Sequence, residues 1–130
     1  MINKFTRTPT GRLILSSAFS DRMLSDGVAA VFKVDIDSET AQQLMEAVKN
    51  DHSITFENRL NPRHESTCIL AQGLTDQPPL GGFVSLKDGD TVLLIQPHTA
   101  SRDATEFDLN SFALCRFKII QQIPVSIIES

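Results

Sequence analysis

At 130 residues, with 41% hydrophobic and 22% charged side chains, the chain has the size and make-up of one soluble globular domain with a core of its own. A formal net charge of −4 argues against broad, nonspecific binding to duplex DNA and leaves room for a local basic pocket around a small anion. Trp and Tyr are absent and 8 Phe supply every aromatic ring, so any base stacking falls to Phe, His or Arg.

The N-terminus carries no long apolar stretch of the signal-peptide kind, and no apolar run approaches membrane-spanning length. A cytoplasmic protein is therefore expected. Cys68 and Cys115 lie in apolar stretches outside any CxxC pattern and read as free thiols in a reducing compartment, with no zinc site.

Along the chain, Leu13-Ile14-Leu15 is a short apolar strand ending at Ser16-Ser17, and Ala18 to Leu24 is a loop or a single turn. Ala29 to Ile36 alternates at its end and predicts a strand. Asp37-Ser38 offers an N-cap, and Ala41, Leu44, Met45 and Val48 follow at helical spacing, which predicts a helix over Ser38 to Asn50. Ser53 to Leu60 alternates as a strand. It leads into Asn61-Pro62-Arg63-His64-Glu65-Ser66-Thr67, a basic turn with Ser66 or Thr67 placed to cap a second helix running to Leu74. Thr75 to Gly82 is a loop with Pro78, Pro79 and two glycines. Phe83 to Leu86 and Thr91 to Ile95 flank Lys87-Asp88-Gly89-Asp90, which predicts a hairpin. Pro97 to Asn110 is polar and irregular, and Ser111 to Ile123 is a long closing strand.

The sum is a mixed sheet of about five strands flanked by about two helices, an α/β or α+β sandwich. It forms one small domain over residues 13–123, between a peripheral segment at 1–12 and a tail at 124–130.

Chemically capable residues gather in loops, where sites at strand ends are built. Arg63 and His64 form one group, Ser16, Ser17, Ser20 and Arg22 another, and His98, Arg102, Asp103 and Glu106 a third. The His64 turn joins a fixed positive charge to a side chain that gives or takes a proton near neutral pH, at a helix start that suits phosphate. Its plainer reading is a helix-capping turn with a surface histidine. The serines equally fit simple turns, and the third group fits a solvated loop. No GxSxG elbow, P-loop or GxGxxG is present, and His52, His64 and His98 lack metal-ligand spacing, so neither a cofactor nor a metal is expected.

Four of these stretches, taken together and in order, resemble the viral ring nuclease family, the type III anti-CRISPR proteins. Leu15-Ser16-Ser17-Ala18-Phe19-Ser20-Asp21-Arg22-Met23-Leu24 resembles its opening segment, and His64-Glu65-Ser66-Thr67 its Gly-His-x-Ser-Thr element. Asp88-Gly89-Asp90 with the apolar run to Ile95 resembles its Glu-Gly-Asp hairpin, and Phe112-Ala113-Leu114-Cys115-Arg116-Phe117 its closing strand. The resemblance spans roughly residues 13–120. It implies a homodimer that binds cyclic tetra-adenylate and cleaves it without metal, the substrate's own ribose 2′ hydroxyl attacking the phosphate. His64 would be the general acid, and Ser16, Ser17, Ser20, Arg22, Arg63, Arg102 and Glu106 would hold the ring.

Three departures stand out. Ser17 replaces an asparagine, an arginine of the pattern falls near Gly81 or Gly82, and the family Arg and Glu after the central strand have only Arg102 and Glu106 as near matches. Three functions follow: a metal-independent phosphodiesterase, a sponge that binds a cyclic oligoadenylate without cutting it, and a DNA-binding or protein-interaction module.

Overall fold

Strand side chains point alternately to two faces, so a sheet needs cover on both; here that cover is unequal. In the computed structural model, residues 11–24, 28–87 and 89–124 are described. Strands β1 (Arg12–Ser16), β2 (Val28–Ile36), β3 (Thr55–Asn58), β4 (Thr91–Gln96) and β5 (Arg116–Pro124) form one five-stranded sheet in the order β2-β5-β4-β1-β3. β1 runs parallel to both β3 and β4, while β5 is antiparallel to β4 and β2, so the sheet is mixed. Helices α1 (Ser38–Lys49), α2 (Glu65–Leu70) and α3 (Leu109–Leu114) complete an α+β domain.

All three helices cover the same face. Leu13, Leu15, Leu93, Ile95, Phe117 and Ile119 meet Ala41, Leu44, Met45 and Val48 of α1, Leu70 of α2 and Phe112 of α3. The opposite face, built on Ile14, Val92, Leu94 and Ile120, is covered by irregular chain: Met23, Val84 and Leu86, with Phe19 and Leu24 at the margin.

Local chemistry explains the helices. The Asp37 carboxylate accepts a 2.7 Å hydrogen bond from the Thr40 N–H and caps α1 as predicted, and the four apolar residues at helical spacing are all buried. The second helix begins one residue earlier than predicted. Its cap position is His64, whose side chain makes no capping bond, so neither Ser66 nor Thr67 caps it. After Leu70 it tightens into a 3-10 turn, Ala71–Gly73.

Other predicted elements differ as well, β3 being held to Thr55–Asn58 where a strand over Ser53 to Leu60 is expected. Phe83 to Leu86 does not pair with β4, because both edges of β4 are already taken by β1 and β5. Asp90 instead turns the chain into β4, its carboxylate accepting from the main-chain N–H groups of Lys87 at 2.9 Å and Arg12 at 3.1 Å. Asp88 of that turn, residues 1–10 of the N-terminal segment and residues 125–130 of the expected tail 124–130 lie outside the described residues, while β1 takes in Arg12 and β5 takes in Pro124. The closing strand is also shorter than predicted. The Asp108 carboxylate accepts from the Asn110 N–H and caps α3, so Leu109 to Leu114 is helical and β5 starts only at Arg116. Phe112 is thereby buried between Phe107 and Phe117, with ring centroids 5.8 and 5.2 Å away, each tilted pair contributing about 0.5–1.5 kcal/mol.

Candidate functional site

The three parallel strands deliver their carboxyl ends to one edge of the sheet, where open α/β sheets place their sites. β3 leads there to Arg59 and the His64 turn, β1 to Ser16-Ser17, and β4 to Gln96-Pro97-His98, while β5 enters from the same edge with Arg116. β1 is flanked by β3 and β4, so His64 and His98 rise on either side of Ser17 from strands roughly 10 Å apart, two strand spacings.

Asn61 shapes the His64 turn. Asn61-Pro62-Arg63-His64 is a β-turn with asparagine first and proline second, closed by the His64 N–H donating to the Asn61 carbonyl at 2.9 Å. The Asn61 side chain accepts from the Arg63 N–H at 3.0 Å, and the Cys68 thiol donates to the Asn61 carbonyl at 3.4 Å. The turn is held from within, leaving Arg63 and His64 exposed. On the other side, the Ser101 N–H donates to the His98 carbonyl at 2.7 Å. A hydrogen bond from the His98 main chain also reaches the Cys115 sulfur, tying His98 to the start of β5.

Burial raises the thiol pKa of Cys115, which that hydrogen bond only partly opposes; burial and then the nearby Glu65 charge raise that of Cys68. A raised thiol pKa lowers the share of thiolate, the nucleophilic form.

A cavity of about 920 Å³ opens between these walls, lined by Ser17, Arg63, His64, Arg102 and Arg116, with His98 and Gln96 on the β4 side. Of the residues predicted from sequence, Ser17, Arg63, His64 and Arg102 come together here. A second cavity of about 620 Å³ shares Ser17, Arg63 and His64 with the first and continues to Ser16, Ser20, Arg59 and Phe83. The Ser16 hydroxyl donates to the Ala18 carbonyl at 2.9 Å, so its first task is to hold its own turn. Arg22, on the exposed 3-10 turn Asp21–Met23, and Glu106, in the exposed chain before α3, line neither cavity.

Arg59 and Arg116 fall outside the site expected from sequence, where His98 stands only in a group with Arg102, Asp103 and Glu106. Their common signal is position: each stands at a strand end on one sheet edge, and that becomes visible only with the strand order. Among the described residues no three His, Cys, Asp or Glu side chains form a metal-ligating cluster, and no helix is long and apolar enough to cross a membrane.

The molecule is thus a small α+β domain with a cation-lined cleft at the carboxyl ends of parallel strands. Among solved structures it is similar to B116 of Sulfolobus turreted icosahedral virus, with a TM-score of 0.66 and 19% identity over 85% of this chain and 98% of that one. At that identity the likeness is one of fold, shared with a virus protein. No family model and no curated protein matches the chain.

Proposed function

We propose that this protein is a metal-independent phosphodiesterase that binds a cyclic oligoadenylate, cyclic tetra-adenylate first among them, and opens the ring to linear products. The observation that carries the reading is the pair of histidines, reached from β3 and β4 on either side of β1, lining one cavity that three arginines also line. A ribose 2′ hydroxyl attacking its neighbouring phosphate needs a base at the attacking oxygen and an acid at the leaving oxygen, on opposite sides of phosphorus. His98 takes the 2′ proton as the O2′–P bond forms. The P–O5′ bond breaks, and His64 delivers a proton to O5′, leaving a 2′,3′-cyclic phosphate and a free 5′ hydroxyl. Arg63, Arg102 and Arg116 offset the charge that gathers on the phosphate oxygens. The substrate supplies the nucleophile, in keeping with the protonated thiols.

The four ordered motifs and the viral structural neighbour support the same reading. A symmetric ring suits a homodimer, in which two copies of the cavity meet it about a two-fold axis. In the cytoplasm of a cell defended by type III CRISPR, destroying the ring would silence the effectors it activates. A sponge is the second reading. It is favoured by the turn at Gly81 and Gly82, with φ of 66° and 85°, where the family pattern carries an arginine and this chain has two glycines.

The test is incubation with labelled cyclic tri-, tetra- and hexa-adenylate in EDTA. Cleavage by wild type that falls about 10²–10⁴-fold in His64→Ala supports the enzyme. Tight binding with the ring recovered intact supports the sponge, and no binding of any ring refutes both.

A further inference from the structure

We infer that the second cavity is a nucleobase subsite in which Phe83 is the stacking platform. This deepens the phosphodiesterase reading and rests on it for the phosphate that the base accompanies. Phe83 is 68% exposed although it borders a cavity, and it adjoins Leu80, another exposed large apolar side chain. An aromatic ring left in water on the wall of a cavity gains when apolar surface covers it, and a flat π-faced group covers it most completely.

The loop that presents Phe83 is firmly held. The Leu80 N–H donates to the Asn58 carbonyl at 2.9 Å, the Asn58 side chain donates to the Gln77 carbonyl at 2.9 Å, and Arg59 Nη1 donates to the Gly81 carbonyl at 3.3 Å. A side chain at Gly81 would meet Pro62 Cδ at 3.1 Å, so the Phe83 loop packs directly on the His64 turn. At Gly82 a Cβ would meet nothing within 4 Å, so the rim beside the ring is open.

Phe19 forms part of the floor, with the Lys33 ammonium 5.0 Å from its ring centre, leaving Phe83 as the exposed ring. The cavity shares Ser17, Arg63 and His64 with its cationic neighbour. A ligand with an anionic group in one and a flat, π-faced group in the other fits this pairing, which describes a nucleotide. Stacking accepts any base face, so Phe83 contributes affinity more than base identity.

The absence of tryptophan supplies the probe. Phe83→Trp places one indole in the cavity, and its fluorescence is followed during titration with adenosine, AMP and ribose 5-phosphate, with AMP affinity also measured for Phe83→Ala by calorimetry. Quenching by adenosine and AMP but not by ribose 5-phosphate, with AMP affinity about 5- to 100-fold weaker in Phe83→Ala and ribose 5-phosphate affinity unchanged, is the expected result. Equal binding of AMP and ribose 5-phosphate with no quenching overturns the inference and leaves the phosphate cavity standing. Adenosine binding without binding of ribose 5-phosphate or any ring keeps the base subsite and removes the phosphodiesterase reading. If Phe83→Ala instead turns a dimer into a monomer in sedimentation, the ring belongs to an interface and the inference fails.

Discussion

Replacing Asp90 by alanine should cost stability without touching the site. Asp90 is 4% exposed, and besides the Lys87 and Arg12 N–H groups it accepts from Arg12 Nε at 3.1 Å and Nη2 at 2.6 Å. Arg12 goes on to Glu57 at 3.0 Å and to the Ser85 carbonyl at 2.9 Å, and hydrogen bonding to Asp90 is the main cause that raises its pKa. Hydrogen bonds to a charged group contribute about 1.5–3 kcal/mol each, but four on one carboxylate are not additive. Removing the carboxylate strands two main-chain donors and a partly buried guanidinium, for a loss of about 3–5 kcal/mol. With an unfolding entropy of about 2.1 cal/mol/K per residue over 130 residues, Tm falls by roughly 11–18 °C. Urea unfolding followed by circular dichroism measures the loss, and an Arg12→Met double-mutant cycle shows whether the two residues act as one unit. Asp90 precedes β4, at the far end from His98, so ligand affinity per folded molecule should be unchanged. A loss below about 1 kcal/mol, or strictly additive single mutants, refutes the reasoning.

Further expectations concern packing, pH and the cations. Gly73→Ala would put a methyl 2.9 Å from ring carbons of both Phe107 and Phe112, and overpacking of this kind should lower stability by about 1–3 kcal/mol in the same assay. The carboxyl pKa of Asp37 is lowered by hydrogen bonds from Thr40, so its contribution is present above the unfolded carboxylate value and lost as pH falls through the lower folded value. Acid titration of stability should therefore show a step at low pH that Asp37→Asn flattens; identical curves would show that the cap carries no charge effect. Arg116→Gln should weaken binding of a labelled ring and flatten its salt dependence, whereas an unchanged salt slope would place the phosphate elsewhere.

Elements fixed by local chemistry were legible in the sequence. The α1 cap and its apolar stripe, the alternation of β2 and β3, and the Asn61-Pro62 turn each lie within a dozen residues. What stayed hidden depends on distant chain. Asp-Gly between two apolar runs reads as a hairpin until β1, some 80 residues earlier, is seen to occupy that edge of β4. The apolar run from Ser111 conceals a helix-to-strand change whose one local sign is Asp108, three residues before Ser111 and able to cap. The site followed the same rule. His64, Arg63, Ser17 and Arg102 stand in loops that attract notice, while Arg116 is an ordinary strand residue until strand order brings it to the cleft. Glu106, chosen as the nearest match to a glutamate of the family pattern, lines neither cavity.

The most direct test of the paired histidines is the rate of ring cleavage by His64→Ala and His98→Ala under single turnover in EDTA. Each variant is given the ordinary ring and one whose leaving 5′ oxygen is replaced by sulfur, which departs without being protonated. His64→Ala should regain most of its lost rate on the sulfur ring while His98→Ala does not. Equal losses on both rings in both variants would contradict the account.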